Sequence, residues 1–350
     1  MKKTALIACI TLFALALNAA ERKLQPLPIT VSNNAVASVK IKGQQVIFSF
    51  MGIGEKKSWD SITNRAFGMN VEAGEWSEVR PVPGPAGRIA GSAVTVKDVI
   101  YLLGGYTVDS RGIETSVRSV ELLLPSKGIW YRAADMPAPL DDTVVGAYRD
   151  RYIYTVSGWT PDGATNQVQV YDTQKDKWQQ ATPIPGTPVF GHAGALLDDT
   201  IVYVDGAFRN PNAATPRYVA SDECWMGKID HHDLTKIQWS KLPSHPGSAR
   251  YRIAAGASDH DDRIYFSGGT DNPYNYDGVG YDGRPSEPSP MTFAWNLKTS
   301  KWEVVTEKTQ NPTMDNRGLL VTSRGLLRVG GMEAGQRVTN KVNISPRAGK

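Results

Sequence analysis

Ile100-Tyr101-Leu102-Leu103-Gly104-Gly105 is a β-branched, aromatic and aliphatic run closed by a glycine pair. Such a run reads as a strand, and its glycines allow positive φ and close backbone approach. The signature recurs five more times. Val46-Ile47-Phe48-Ser49-Phe50 precedes Gly52, Tyr152-Ile153-Tyr154-Thr155-Val156 precedes Gly158, and Ile201-Val202-Tyr203-Val204 precedes Gly206. Ile264-Tyr265-Phe266 precedes Gly268-Gly269, and Leu326-Leu327-Arg328-Val329 precedes Gly330-Gly331. The last glycines stand at 52, 105, 158, 206, 269 and 331, so the period runs from 48 to 63 residues. That is the size of one four-stranded propeller blade.

A second landmark keeps phase with the first. Trp76, Trp130, Trp178, Trp239 and Trp302 follow successive glycine sites, and six residues before them stand Asn70, Leu124, Asp172, Asp233 and Asn296. Four of these five are turn-forming Asx residues. Prolines come after the tryptophans at 81, 137, 183, 243 and 312. With its glycine pair, aromatic-Asp turn and later tryptophan, the pattern resembles the Kelch repeat across essentially the whole chain after its first twenty residues. The fold expected is all-β, a six-bladed Kelch-type β-propeller with blades at about 35–80, 89–136, 143–183, 190–243, 251–305 and 317–346. The tryptophans are read as packing between blades. The sixth blade lacks its own tryptophan-bearing strand, and Leu24-Gln25-Pro26-Leu27-Pro28 resembles the Trp-x-x-Leu-Pro stretch of other blades. Residues 22–28 are therefore expected to complete it as an N-terminal closing strand.

The first twenty residues differ from the rest. Lys2 and Lys3 precede the apolar run from Thr4 to Leu17, and Asn18-Ala19-Ala20 leads into Glu21-Arg22-Lys23. This reads as a secretory signal peptide, too short for a spanning helix, with the periplasm as destination. Its removal lowers the net charge of +4 to about +2. Neither nucleic acid nor a membrane surface is then favoured electrostatically. Cys9 leaves with the signal, so Cys224 is the single mature cysteine and an internal disulfide is excluded.

In a propeller, the links between blades and the loops after each second strand open around the axis. The blade starts offer Arg88, Asp141, Asp142, His192, Arg250, Arg252, Asp315 and Arg317. After the glycines come Tyr106, Trp159, Phe208, Arg209, Tyr274, Tyr276, Glu333 and Arg337, with Arg217 in the long blade-four loop. Arginines offer bidentate contacts to carboxylates, and aromatic faces suit sugar rings. The candidate ligand set is Arg88, Asp142, Trp159, His192, Arg209, Arg217, Arg250, Tyr274, Tyr276 and Arg317. Two long loops, Ala207 to about Asp222 and Thr270 to about Pro290, carry mixed aromatic, amide and carboxylate side chains.

The chain is similar to the bacterial N-acetylneuraminate mutarotase (epimerase) family, which is also six-bladed and closed by an N-terminal strand. That resemblance implies a small acidic sugar as ligand and cofactor-independent isomerase chemistry, with a carboxylate base and an arginine clamp. The family's glutamate immediately after a glycine is replaced here by Ala207; the nearest substitute is Glu333 with Arg337. A second reading is a non-catalytic interaction module holding an acidic peptide segment. A third is a copper enzyme like galactose oxidase, for which the histidines 192, 231, 232, 245 and 260 do not supply an evident pair of axial ligands. The Asp-rich blade-five loop lacks the calcium-loop spacing, and no triad signature, phosphate loop or zinc spacing is present. No metal and no cofactor is expected.

Overall fold

The computed structural model describes residues 23–84, 86–212 and 216–349. The expected signal peptide lies outside them. Among the described residues there is no α-helix, only two 3₁₀ turns, Trp59–Ser61 and Ala334–Gln336. Five four-stranded antiparallel sheets span 35–79, 92–132, 144–181, 193–241 and 254–306, and a sixth of three strands spans 320–345. They are six blades arranged around one axis. The first strand of each blade packs against the first strand of the next and lines a narrow channel of about 330 Å³. Its walls are largely small residues, including Ala93, Gly146, Ala147, Gly194, Ala195, Ala255, Gly256 and Gly318. Small side chains are required where six strands converge.

The glycines do a definite job. The glycine that closes each second-strand motif donates its N–H to a carbonyl at the start of the following blade: Gly52 to Arg88, Gly105 to Leu140, Gly158 to Val189, Gly206 to Arg250, Gly269 to Thr313 and Gly331 to Val31, at 2.9–3.2 Å. At Gly105, φ is +91° and a Cβ would lie 2.7 Å from the Ile89 carbonyl oxygen. A larger residue there would push the blade's own starting segment at Ile89–Gly91 away from its second strand.

The tryptophans stitch the blades together on their outer side. The Trp130 indole donates to the Arg80 carbonyl, Trp178 to Ala134, Trp239 to Thr182 and Trp302 to Pro243, at 2.7–3.2 Å. Each acceptor stands four residues after the previous blade's tryptophan. Trp76 makes the equivalent bond to Gln25, at 3.0 Å. The N-terminal segment thus takes the place of the segment that follows a fourth strand.

That segment is extended, but it is not a ladder strand in the described residues. Leu27, between Pro26 and Pro28, supplies the N–H that reaches the Asn340 carbonyl (2.7 Å), and its own carbonyl accepts from the Asn340 side chain (3.0 Å). The flanking prolines have no N–H to continue the pairing. The register also differs from the expected one. The indole bond aligns Leu24-Gln25 with Leu242-Pro243, where Leu27-Pro28 had been expected. Leu24 and Leu27 are buried with Phe67 and Met69 of blade one and Leu327 and Val329 of blade six. The seam is therefore held by apolar packing more than by pairing.

Candidate functional site

The site is built on the blade starts. Asn33, Ala90, Asp142, Gly191, Arg252 and Asp315, one per blade, all have φ between 49° and 63°. The left-handed turn bends each chain back toward its own blade's inner strand and points the backbone around the axis. Asp142 N–H donates to the Ala90 carbonyl (3.0 Å), Gly191 to Asp142 (3.1 Å), Arg252 to Gly191 (2.8 Å) and Asn33 to Asp315 (2.9 Å). Side chains supply the other two links: Ala90 N–H to Asn33 Oδ1 (2.8 Å) and Arg252 Nη1 to Asp315 Oδ1 (2.9 Å). A closed, hydrogen-bonded collar of six residues results.

Charged side chains of the collar fill the axis. Arg252 Nη2 donates to Asp142 Oδ2 (3.0 Å) and Nε to Asp142 Oδ1 (3.3 Å), while Arg317 pairs with Asp142 from the other side. Ser32 donates to Asp315. Arg252 also lies over the rings of Tyr251 and Tyr274, at 4.9 and 5.3 Å. All of these charged groups are buried. Each is ion-paired, as burial of charge requires, although the Arg317 Nε finds no hydrogen-bond partner among the described residues.

Above the collar opens a cavity of about 440 Å³. Blades two and three contribute Tyr106, Ser116, Asp141, Asp142 and Trp159; blades four and five contribute Phe190, Arg217, Tyr218, Tyr251, Arg252 and Tyr281. Asp141 bridges to Trp159 backbone to backbone and accepts a side-chain hydrogen bond from Ser116 at 2.5 Å. Burial first, and then the neighbouring charge of Asp142, push the Asp141 carboxyl well above the usual carboxylate range. For Asp142, burial acts in the same upward sense, but Arg252 and Arg317 outweigh it and hold the carboxylate ionised. Two adjacent carboxyls are thereby driven apart in proton affinity, the arrangement that separates an acid from a fixed charge. At the rim, Arg217 is exposed and its guanidinium lies 5.2 Å from the Tyr218 ring centre.

The blade-five loop roofs part of this opening with Asn275 and Tyr281. From Tyr274 it crosses the axis: Asn275 Nδ2 donates to Glu114 at 2.6 Å, and Tyr276 packs with Ile62 and Tyr106 of blades one and two. Arg252 Nη1 donates to the Asn275 carbonyl from below.

Of the residues singled out from the sequence, Asp142, Trp159 and Arg217 line this cavity. His192 and Arg317 line the channel beneath the collar. His192 Nε2 donates to the Val156 carbonyl (2.8 Å), and burial lowers its pKa to about 4, so the ring is neutral. Arg209 lies in an adjoining cavity that shares the Trp159 and Tyr218 wall. Tyr274 is wholly buried under the roofing loop, and Tyr276 packs within it. Arg88 turns outward to Glu121 (2.7 Å) and Ser119 (2.6 Å) in a cavity between blades one and two. Arg250 is buried near Asp205 and Phe293, its Nη1 donating to the Gly268 carbonyl (3.3 Å). Glu333 lies in a two-residue ribbon of blade six, paired with Arg337 and Lys341. Burial would raise its carboxyl, yet those two cations hold it below the usual range. Asp141, Tyr106 and Arg252, named from the sequence in the axial ring but left out of the ligand set, also line the cavity; sequence reasoning did not single out Ser116, Tyr218 or Tyr281 for its wall.

Among the described residues, the cluster of side chains suited to a metal is Asp205, Cys224 and His245. It is buried between blades four and five, away from the axis. His245 Nε2 and Asp205 Oδ2 are 2.7 Å apart, and the Arg250 N–H donates to the same carboxylate at 2.9 Å. Burial pushes the Cys224 thiol up to about 12. This group braces two blades.

Residues 35–269 match the Kelch-repeats domain described as KLHDC2/KLHL20/DRC7. Kelch-like protein 15 of Gallus gallus is 30% identical over 119 residues, which is 34% of this chain and 24% of that protein. Kelch-like protein terF of Aspergillus terreus is 25% identical over 221 residues, 62% of this chain and 44% of that protein. The matches thus span less than half the length of these curated relatives. The solved structure of YjhT superposes with a TM-score of 0.71 over 91% of this chain and 95% of its own, at 16% identity. At that identity the likeness is one of fold.

Proposed function

The chain belongs to the Kelch-repeat family, and on that premise we propose that its axial cavity binds a small acidic carbohydrate. The chain would do so as an exported, periplasmic protein. One observation carries the reading: Asp141, its carboxyl driven well above the usual carboxylate range by burial, lies beside an arginine-clamped Asp142 in a cavity walled by Trp159, Tyr218 and Tyr281 and rimmed by Arg217. Arg217 suits the ligand's carboxylate. The aromatic rings suit its C–H faces, and Ser116 and Asp141 suit its hydroxyls. The resemblance to the N-acetylneuraminate mutarotases supports the same ligand class.

The proposed anomer exchange uses Asp141 as its acid. Asp141 donates its proton to the ring oxygen as the bond from that oxygen to the anomeric carbon breaks. A solvent water at the open mouth takes the anomeric hydroxyl proton. Closure on the other face of the carbonyl runs both transfers backwards and restores the Asp141 proton. Asp142 does not exchange protons in this scheme; burial first, and then the Asp142 charge, raise the proton affinity of Asp141. No cofactor enters.

A second reading rests on the exposure of Arg217 at the rim: the same side chain suits an acidic peptide segment of a partner protein. The test is a thermal-shift comparison of N-acetylneuraminic acid, neutral N-acetylglucosamine and an oligoglutamate peptide. A ligand that binds only the folded state raises the melting temperature by mass action. A shift with the acidic sugar alone is expected. A shift with the peptide alone supports the second reading, and no shift with either acid overturns both.

A further inference from the structure

The axial cavity has a neighbour. A hollow of about 400 Å³ opens on the other side of Trp159, Pro161, Arg217 and Tyr218, and these four residues line both spaces. Each space is of the size that holds a small ligand by itself, roughly 300 Å³ or more. The divider is rigid. Trp159 meets Phe190 and Tyr218 edge to face, with ring centres 5.0 and 5.7 Å apart. The second hollow has an arginine of its own. Arg209 stands on the ribbon Ala207–Arg209, paired with Tyr218–Ala220, and faces solvent beside Phe208. Among the described residues, neither Arg209 nor Arg217 makes an ion pair with a carboxylate, whereas the buried arginines 88, 252 and 317 all do.

We propose that the two hollows form one bipartite site for an acidic di- or oligosaccharide. One sugar unit sits over Asp141 with its carboxylate on Arg217, and the next sits past Trp159 with its carboxylate on Arg209. This rests on the reading of the axial cavity as a site for an acidic sugar. Only the shared wall of Trp159, Pro161, Arg217 and Tyr218 separates the two units, so they are adjacent residues of one chain. The second carboxylate accounts for an exposed arginine held on a short ribbon with no internal partner.

Calorimetric titration of the mature protein with N-acetylneuraminic acid and with its α2,8-linked dimer tests the proposal. The dimer is expected to bind at least about tenfold more tightly, the gain of one charge-assisted hydrogen-bonded contact. Arg209→Ala should bring the ratio of the two dissociation constants close to one. Arg209 is exposed, so the variant should fold, and circular dichroism verifies that it does. Monomer binding with no advantage for the dimer overturns the bipartite site and leaves the axial reading standing. So does a dimer advantage that survives Arg209→Ala. Failure of both sugars to bind overturns the axial reading itself. Tighter, Arg209-dependent binding of an oligoglutamate peptide assigns the two arginines to a protein partner and overturns the sugar class.

Discussion

Asp141 and Asp142 are consecutive in the chain, yet their surroundings drive their carboxyl groups in opposite directions. Burial and the adjacent anion raise the Asp141 carboxyl, whereas two guanidinium groups lower that of Asp142. The raised Asp141 has a consequence for stability. Its contribution is fully present below the unfolded-state value near 3.9 and is lost as pH rises through the folded value. Asp141→Asn keeps the shape and a neutral group. It should therefore melt higher than the parent at pH 8, with the two converging near pH 4. Parallel melting curves across that range would show that Asp141 ionises freely.

Arg217→Ala should weaken binding of N-acetylneuraminic acid by about 10- to 100-fold, the scale of a charge-assisted hydrogen bond. Arg217→Lys keeps the charge without the fork and should recover part of that loss. Equal affinity of the parent and Arg217→Ala in calorimetric titration would remove this side chain from the site.

His192 predicts a second pH effect of opposite sense. Its folded value of about 4 lies below the unfolded 6.5. Its stabilisation is thus complete above pH 6.5 and lost as pH falls through 4. The difference amounts to about 3 kcal/mol. His192→Gln retains an N–H for the Val156 carbonyl and does not titrate. Urea unfolding at pH 7 and pH 4 should show a smaller loss for this variant than for the parent.

Gly191 is the collar position least tolerant of a side chain. Its φ is +60°, and a Cβ would stand 2.1 Å from Cε2 of the buried Tyr251 ring. Gly191→Ala should cost about 1–3 kcal/mol or more through overpacking and backbone strain. The midpoint of chemical unfolding measures it. Ala90→Gly at an equivalent φ of +56° is the control and should be nearly neutral.

At the seam, Leu27→Ala should destabilise by about 2–5 kcal/mol, since its side chain is buried between the first and last blades. Trp76→Phe removes the indole bond to Gln25 and keeps an aromatic ring there. It should cost about 1 kcal/mol. A reversed order in urea unfolding would place the strength of the closure in hydrogen bonding.

The blades were legible because glycine and tryptophan answer to constraints that repeat every turn of the ring. The wall of the cavity was harder to read. Arg88, Leu140 and Arg250 stand two residues before the collar positions, and their carbonyls receive the glycine N–H groups. Their side chains pack between blades. Asp141 and Tyr251, one residue later, meet the cavity. A periodicity of about fifty residues locates a blade start without resolving that one-residue offset, so Arg88 and Arg250 looked like axial arginines. Tyr281 reaches the cavity from a loop that crosses three blades, a path no repeat encodes. The closing segment was placed three residues out of register because Leu24 and Leu27 both precede or adjoin a proline-rich stretch. Only the Trp76 bond to Gln25 distinguishes them.

The ion-paired collar turns an open ring into a cup. Asp142, Arg252, Asp315 and Arg317 form its base, and the upper cavity and the lower channel share no lining residue. Nothing that enters from the upper face can leave by the lower one without pulling four mutually neutralised charges apart. Whatever occupies the upper cavity has the same partly roofed mouth as entrance and exit, and the opposite end of the axis is a separate surface.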